Sequence, residues 1–511
     1  MTSENNKRIA KNTAMLYLRM LFTMLVSLYT SRVVLNTLGV DDFGIYNVVG
    51  GVVTMFSFLN SAMSSGTQRF LSFELGKKDY EQLKRIFSMS INIHASIAII
   101  IFILAETIGL WFLNTQLTIP DERMVAANWV YQFSILAFIV TIMSVPYNAA
   151  IISHERMSIF AYVSILEVTL KLVIVFILQW FGFDKLKLYA ILVFLVSLII
   201  RIIYGIYCKH NFKECNYYIF WDSKLYSTLM SYAGWNLWGN FASVTMNQGI
   251  NILLNIFFGP VVNAARGIAY QVNGAVNSFV TNFQMAINPQ IVKSYAANDK
   301  EYMHKLIYRG AKYSYYLLFL LSLPVLIETE SILKWWLKIV PEYSVIFCRL
   351  VLINALIDCI SGTLMTSAQA SGKIKLYQSV VGGLLLCILP LSYLLLKLGY
   401  PAETTIYVNI CISIVAIVFR LIIISPLVSL KKSMFFKEVI IKILSVTFLS
   451  IIPPYLCFTQ IDDEIIRFLS VSITSAVSTI TIICLVGIEK DERLIIKNKL
   501  ALLLTKLSSK Y

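Results

Sequence analysis

The sequence predicts an all-α polytopic membrane protein of about fourteen transmembrane helices, arranged as two pseudo-symmetric six-helix lobes followed by two extra C-terminal helices. Three observations carry this expectation. Across 511 residues the chain is 58% hydrophobic and 14% charged, with a mean hydropathy of +0.73, far from the mix of a soluble domain. Apolar runs of spanning length recur along the whole chain. Three sequence echoes, each displaced by about 220 residues, suggest that the first half is repeated in the second.

The first twelve residues, MTSENNKRIAKN, form a short polar N-terminal tail. They are positively charged like a signal peptide, but the apolar run after them is too long, contains Arg19 and Arg32 and lacks a small-residue cleavage site, so a retained first span is expected. Residues 13–208 hold six apolar segments, at 13–38, 43–68, 86–113, 124–152, 158–182 and 188–208, and make the expected N-lobe. A polar linker, 209–227, leads to a C-lobe over 228–430, with segments at 228–258, 262–290, 309–335, 346–371, 377–398 and 404–428. Two further spans lie within 438–486, at 438–458 and 465–486, and a basic tail occupies 487–511. The echoes pair Leu38–Val49 with Phe257–Asn273, Gly76–Ile86 with Ala297–Ile307, and His154–Tyr162 with Ser371–Ser379.

The net charge of +15 raises nucleic-acid binding as a possibility and then excludes it, because the basic residues sit in short runs between apolar segments. Most fall on the side of the N-terminus, in loops such as RFLSFELGKKDYEQLKR and LKKSMFFKE, whereas the opposite loops read VDD, TIPDER and TQIDDE. The positive-inside rule therefore places both termini in the cytoplasm. Trp111, Trp129, Trp180, Trp335 and Trp336 fall at the expected outer helix ends, where interfacial indoles belong. The eight cysteines are scattered, mostly within apolar runs, with neither metal-binding nor redox spacing, and read as packing residues.

Function enters through the polar stripes. Read as a helix, Asn263–Asn288 puts Asn263, Arg266, Tyr270, Asn273, Asn277, Thr281, Gln284 and Asn288 within about 80° of one another. The seventh span repeats the pattern with Asn236, Asn240, Ser243, Asn247, Asn251 and Asn255, and the second with Asn47, Thr54, Ser57, Ser61, Ser64 and Gln68. Interhelical hydrogen bonding is one reading of such amides; a hydrated cavity lining is the other. Among ionisable residues, Glu167 and Lys171 lie one turn apart in the fifth span, where they either neutralise each other or serve a substrate or ion. Asp358 is central in the tenth span, on one face with Asn354 and Ser361, and is a candidate proton or cation site. Arg19 shares a polar face of the first span, Arg32 points away from it, and Glu106 lies near a helix end. Arg201, Arg349 and Arg420 also lie near helix ends, where snorkelling accounts for them.

TSRVVLNTLGVDDFGIYNVVGG, the Gly76–Arg85 loop, the Ala149–Met157 turn and the fourteen segments together resemble the polysaccharide flippases, the Wzx-like transporters of the MOP superfamily. Leu38, Gly39, Phe43, Gly44, Ile45 and Tyr46 are the most specific local part of the resemblance. It implies translocation of an undecaprenyl-pyrophosphate-linked oligosaccharide, an O-antigen, capsule or exopolysaccharide unit, across the bacterial inner membrane by alternating access. It also implies coupling to an H+ or Na+ gradient, polysaccharide assembly proteins as partners, a monomer among membrane lipids, and no catalytic residue, metal or other cofactor. Arg19, Arg32, Lys171 and Arg266 are the counterparts of the family's cationic lumen residues, and Asn240, Asn247, Asn251, Asn273 and Asn277 would line the same cavity. Glu167, Asp358 and Glu106 are the ion-coupling candidates. The related lipid II flippases use arginines in the first and eighth spans, but the second span here has none in its centre. Two alternatives remain: a drug exporter of the same superfamily, which needs unpaired carboxylates, and a membrane-embedded polysaccharide polymerase or ligase. The latter needs a long outer loop with reactive groups, whereas the outer loops here are short and carry no nucleotide loop or HExxH.

Overall fold

The computed structural model describes residues 2–39, 42–43, 45–46, 49–50, 57–115, 119–180, 183–337, 340–489 and 493. The side chains of Arg32, Asn47, Thr54, Ser57 and Ser61, and the tail from 494 onward, lie outside what is described. The described chain is helical throughout. In order it forms α1 (Thr2–Leu38), α2 (Ser57–Lys77), α3 (Tyr80–Thr115), α4 (Asp121–Ser153), α5 (Met157–Trp180), α6 (Lys185–Asn211) and α7 (Ser223–Phe258). After these come α8 (Pro260–Ala296), α9 (Lys300–Ile327), α10 (Ser344–Ser371), α11 (Lys375–Lys397), α12 (Thr404–Val428), α13 (Lys432–Gln460) and α14 (Glu464–Gly487). A short helix, Thr329–Leu337, follows α9.

Among the described residues, ten helices are long and apolar enough to cross a membrane on length and composition alone. Two helices that are described along their length, α7 and α8, fall short of that mark, and both carry polar stripes. A polar line along a helix lowers its mean hydropathy without shortening it, so the shortfall is what a wet face should cost. The five tryptophans expected at the outer interface are all exposed.

The sequence echoes recur as backbone geometry. Gly39 and Gly259, which precede the second and eighth spans, are both left-handed, with φ of 82° and 79°. Lys78 and Asn298 end α2 and α8 with φ of 62° and 58°. At each of these two ends the left-handed residue and its successor donate back to the last helical turn: Lys78 N to Leu75 O and Asp79 N to Glu74 O, Asn298 N to Tyr295 O and Asp299 N to Ser294 O. This is the Schellman arrangement, which satisfies carbonyls that the helix end orphans. The aspartate then caps the next helix, accepting from Gln82 N at 3.0 Å and from Tyr302 N at 3.1 Å. The third pair is Glu155 after α4 and Gly372 after α10, with φ of 60° and 73°. Glycine adopts this conformation freely; glutamate does so at a cost of about 1 kcal/mol.

The chain divides into two compact units. The first comprises residues 1–242, 285–303 and 369–379, the second 243–284, 304–368 and 380–511. In the first unit α4 packs on α2, α3 and α6, and α5 on α1 and α6. Its core contains Phe87 against Tyr147, ring centroids 5.3 Å apart and perpendicular. One end is clasped by Arg123, which donates to Asp42 at 2.8 Å and to Asp184 at 3.0 Å, joining the turn before the second span to the starts of α4 and α6. In the second unit α10 packs on α12 and α13 on α14, over a core that includes Leu254, Ala269, Phe347 and Ile388. Cys208, Cys215, Cys348 and Cys359 are buried as free thiols, in keeping with a packing role.

Candidate functional site

A cavity of about 360 Å³ opens in the second unit, walled by α7, α8, α10 and α12. Its lining includes Asn247, Asn273, Asn277, Gln284, Asn354, Asp358, Asn409 and Arg420. The i, i+3 and i+4 spacing of the amides on α8 is what brings Asn273, Asn277, Thr281 and Gln284 onto one wall. Gln284 is tied down, donating to Ser314 Oγ at 3.0 Å and to the Cys359 carbonyl at 3.2 Å. Gly362 makes room for it, since a Cβ there would collide with the Gln284 amide.

Asp358 holds a deep position on the α10 wall. Asn354 Nδ2 donates to its Oδ2 at 2.8 Å, and Ser413 of α12 and the Arg420 charge lie close by. Arg420 itself donates to Ser361 Oγ at 2.9 Å. The carboxylate therefore has an opposite charge nearby without a direct ion pair. Two amide oxygens in the lining, Asn273 Oδ1 and Asn354 Oδ1, have no hydrogen-bond partner among the described residues. Arg420 Nε, in the same lining, is likewise buried without a partner among the described residues.

Arg266, on α8, sits at the edge of this lining. It is 5% exposed, donates to Asn251 Oδ1 and, at 3.3 Å, to Asn247 Oδ1, and lies over the Tyr270 ring at 4.4 Å. Asn247, Asn251 and Arg266 thus form one network between α7 and α8. Its guanidinium is committed to protein partners, whereas Asn273 and Asn277 face the cavity.

The remaining candidates are in the first unit. Arg19 lies over Phe160 at 4.7 Å and within electrostatic reach of Glu167 and Tyr204. Lys171 donates to Glu167 at 2.6 Å, the neutralising i, i+4 pair that the spacing allows. These three make a second cluster of charge, between α1, α5 and α6. Glu106 is apart from it, in a π-turn of α3, accepting from Gln132 at 3.1 Å. Asn240 belongs to the first unit and is half-buried. Arg32 lies on α1.

Sequence reasoning missed Arg420. Snorkelling was the expectation for it, yet it lines the cavity beside Ser361; its spacing from Asn409 and Ser413, eleven and seven residues earlier on one helical face, was the available signal. Arg201 and Arg349 also find partners within the protein, Arg201 over the Tyr147 ring at 3.9 Å and Arg349 at the Leu326 carbonyl, 3.1 Å away.

At one end of the first unit a second polar cluster forms around Glu155. Its carboxylate is fully buried and accepts from Arg8 at 2.8 Å, Lys293 at 2.5 Å and Gln290 at 2.6 Å. Burial pushes the Lys293 ammonium below its ordinary pKa, and the Glu155 charge opposes that shift. Arg69 anchors the same unit elsewhere, donating to the carbonyls of Gln369 at 3.0 Å and Ala370 at 2.9 Å.

Comparison with known proteins gives family and fold. The polysaccharide biosynthesis protein family matches residues 9–295. No curated protein matches the chain. Among solved structures, a multidrug resistance MATE family transporter of the MOP superfamily, in an outward-facing conformation, superposes with a TM-score of 0.70 at 11% identity, covering 83% of this chain and 96% of that one. The MATE transporter ClbM in complex with Rb+ gives 0.69 at 16%, covering 84% and 96%. A MOP superfamily transporter from Pyrococcus furiosus, described as having a binding pocket of reverse polarity, gives 0.68 at 12%, covering 83% and 96%. With its succession of long helices, its repeated turns and a match over more than half its length, this chain belongs to the polysaccharide biosynthesis protein family, the flippase family, and has the fold of the MOP superfamily.

Proposed function

We propose that the protein is a flippase that carries an undecaprenyl-pyrophosphate-linked oligosaccharide across the bacterial inner membrane by alternating access, with both termini in the cytoplasm and an H+ or Na+ gradient driving the cycle. The observation that carries this reading is the amide-walled cavity of the second unit, lined by Asn247, Asn273, Asn277, Asn354 and Asn409. Amide side chains both donate to and accept from sugar hydroxyls, and recognise them without a fixed charge. Arg420, in the lining of the same cavity, supplies positive charge for the pyrophosphate. Asp358 is the ion-coupling group: a carboxylate open to the cavity and steadied by Asn354 is placed to exchange a proton or a monovalent cation.

The test is made in the native host. Deleting the gene should accumulate cytoplasm-facing lipid-linked oligosaccharide and abolish surface glycan, and the mass of that lipid identifies the sugar. A second reading, a cation or drug antiporter, is favoured by Asp358 and by the likeness in fold to MATE transporters, one of them solved with Rb+. Unchanged glycan lipids together with sensitivity to cationic dyes would select it. A polymerase or ligase would instead leave flipping intact while changing glycan chain length.

A further inference from the structure

The Glu155 cluster borders a cavity of about 550 Å³ in the first unit, within the size range of small-molecule sites, roughly 300–1,000 Å³. Five basic side chains line it, Arg8, Lys11, Arg156, Lys213 and Lys293, against two carboxylates, Glu155 and Glu214. Both carboxylates are engaged, Glu155 by Arg8, Lys293 and Gln290, and Glu214 by His154, whose ring stacks on Phe212 at 4.0 Å. Lys11, Arg156 and Lys213 are exposed and have no side-chain partner among the described residues. The cavity thus has an excess of positive charge that the described residues do not neutralise.

Glu155 also stands out by its backbone. It occupies the left-handed position that its repeat mate fills with Gly372, so the carboxylate is kept where glycine would relax the turn. A costly residue held by three donors is a contact with a purpose. It ties the α4–α5 turn to Arg8 of α1 and to Gln290 and Lys293 of α8.

We propose that this cavity binds a phosphate-bearing anion, and that the anion displaces Glu155 by taking over Arg8 and Lys293. Phosphate and pyrophosphate carry several charge-bearing oxygens, suited to donors converging from different helices, and hold Arg and Lys by charge-assisted hydrogen bonds. An anion that enters faces Glu155 as a like charge and competes for the same two cations. Occupancy therefore unlatches residues 285–303 from the α4–α5 turn. With this face in the cytoplasm, which rests on the orientation proposed above, an arriving headgroup would loosen the inner end of the transporter. The anion site itself does not depend on that reading.

The experiment uses the full-length protein in phosphatidylcholine nanodiscs, titrated calorimetrically with inorganic pyrophosphate. Wild type should bind, and K11Q/R156Q/K213Q, which alters exposed side chains only, should bind about tenfold more weakly or worse. E155G removes the competitor and relieves the left-handed backbone, and should bind about three- to tenfold more tightly; E155Q should do so with the side-chain volume kept. Hydrogen exchange over residues 285–303 should quicken with pyrophosphate in wild type and be fast and insensitive to it in E155G. Absence of pyrophosphate binding, a triple variant that binds like wild type, weaker binding by both Glu155 variants, or unchanged exchange in wild type would each overturn the proposal. Replacing phosphatidylcholine by phosphatidylglycerol separates the sources. Loss of pyrophosphate binding assigns the site to lipid headgroup phosphate, and unchanged binding assigns it to phosphate from outside the bulk lipid. Because binding is read on the purified protein, it stands or falls separately from the glycan-lipid analysis that tests transport.

Discussion

Replacing Arg266 by alanine should destabilise the second unit by about 2–4 kcal/mol. The side chain is 5% exposed and makes two hydrogen bonds, to Asn247 and Asn251, and one ring contact with Tyr270. Neutral interhelical bonds in membranes average about 0.6 kcal/mol, bonds to buried charged groups reach about 1.5–3 kcal/mol, and the cation–π contact adds about 0.5–1 kcal/mol. The alanine variant also leaves the Asn251 Oδ1 acceptor in a partly buried site without its donor. Arg266→Lys keeps the charge but not the fork, and should fall between wild type and alanine. The assay is thermal unfolding in detergent with a thiol-reactive dye, because Cys348 and Cys359 are buried in the same unit and become reactive when it opens. If Arg266→Ala melts with wild type, or if lysine fully substitutes, the arginine is not anchoring α7 to α8, and its assignment as a substrate contact regains its force.

Four further outcomes are expected. Asp358→Asn preserves the shape of the cavity wall but removes the charge, so transport should fall by about tenfold or more while the thiol-dye melt is kept; retained transport would remove Asp358 from ion coupling. The double change Glu167→Gln with Lys171→Gln should alter stability by less than about 0.5 kcal/mol, since the pair is a half-exposed i, i+4 bridge, and a large loss of transport with normal folding would show that the pair does more than neutralise itself. Arg123→Ala leaves Asp42 and Asp184 facing each other without their shared cation and should cost about 1–3 kcal/mol, read by the exposure of Cys208 and Cys215. Gly76→Ala forces a Cβ to within 2.6 Å of the Lys293 carbonyl and 2.8 Å of its Cα, a backbone contact that cannot rotate away, so about 1–3 kcal/mol of overpacking should appear as faster hydrogen exchange over residues 285–303.

The helices were legible because hydrophobic length is written directly into composition. Even the repeat, faint as letters, was real as geometry: the left-handed residues at Lys78 and Asn298 share a turn although only the aspartate after each is common to both. The α8 stripe was legible for the same reason, as the spacing of Asn273, Asn277 and Gln284 fixes their shared face whatever packs against it. The role of Arg266 was not, because a side chain's partner depends on which neighbour lies opposite, and Asn247 and Asn251 come from another helix. Arg420 was hidden by a different ambiguity, since an arginine near a helix end reads as snorkelling unless its depth relative to Ser361 is known. Glu155 gave only a faint signal, its place opposite Gly372 in the third echo. Its position follows Ser153 and His154 in a polar turn, and only the backbone shows the left-handed conformation it shares with that glycine.

The low hydropathy of α7 and α8 has a consequence for how the protein is made. A segment leaves the translocon for lipid in proportion to its apolar character, and the amides that give α7 and α8 their wet faces weaken that preference. Each such helix emerges before the neighbour that will cover its polar side, α8 well ahead of α10 and α12. These segments should therefore linger near the translocon or enter the bilayer in pairs, with the basic loops setting their direction. The polar path that suits the protein to a hydrophilic cargo makes those helices the slowest and most error-prone part of its own insertion.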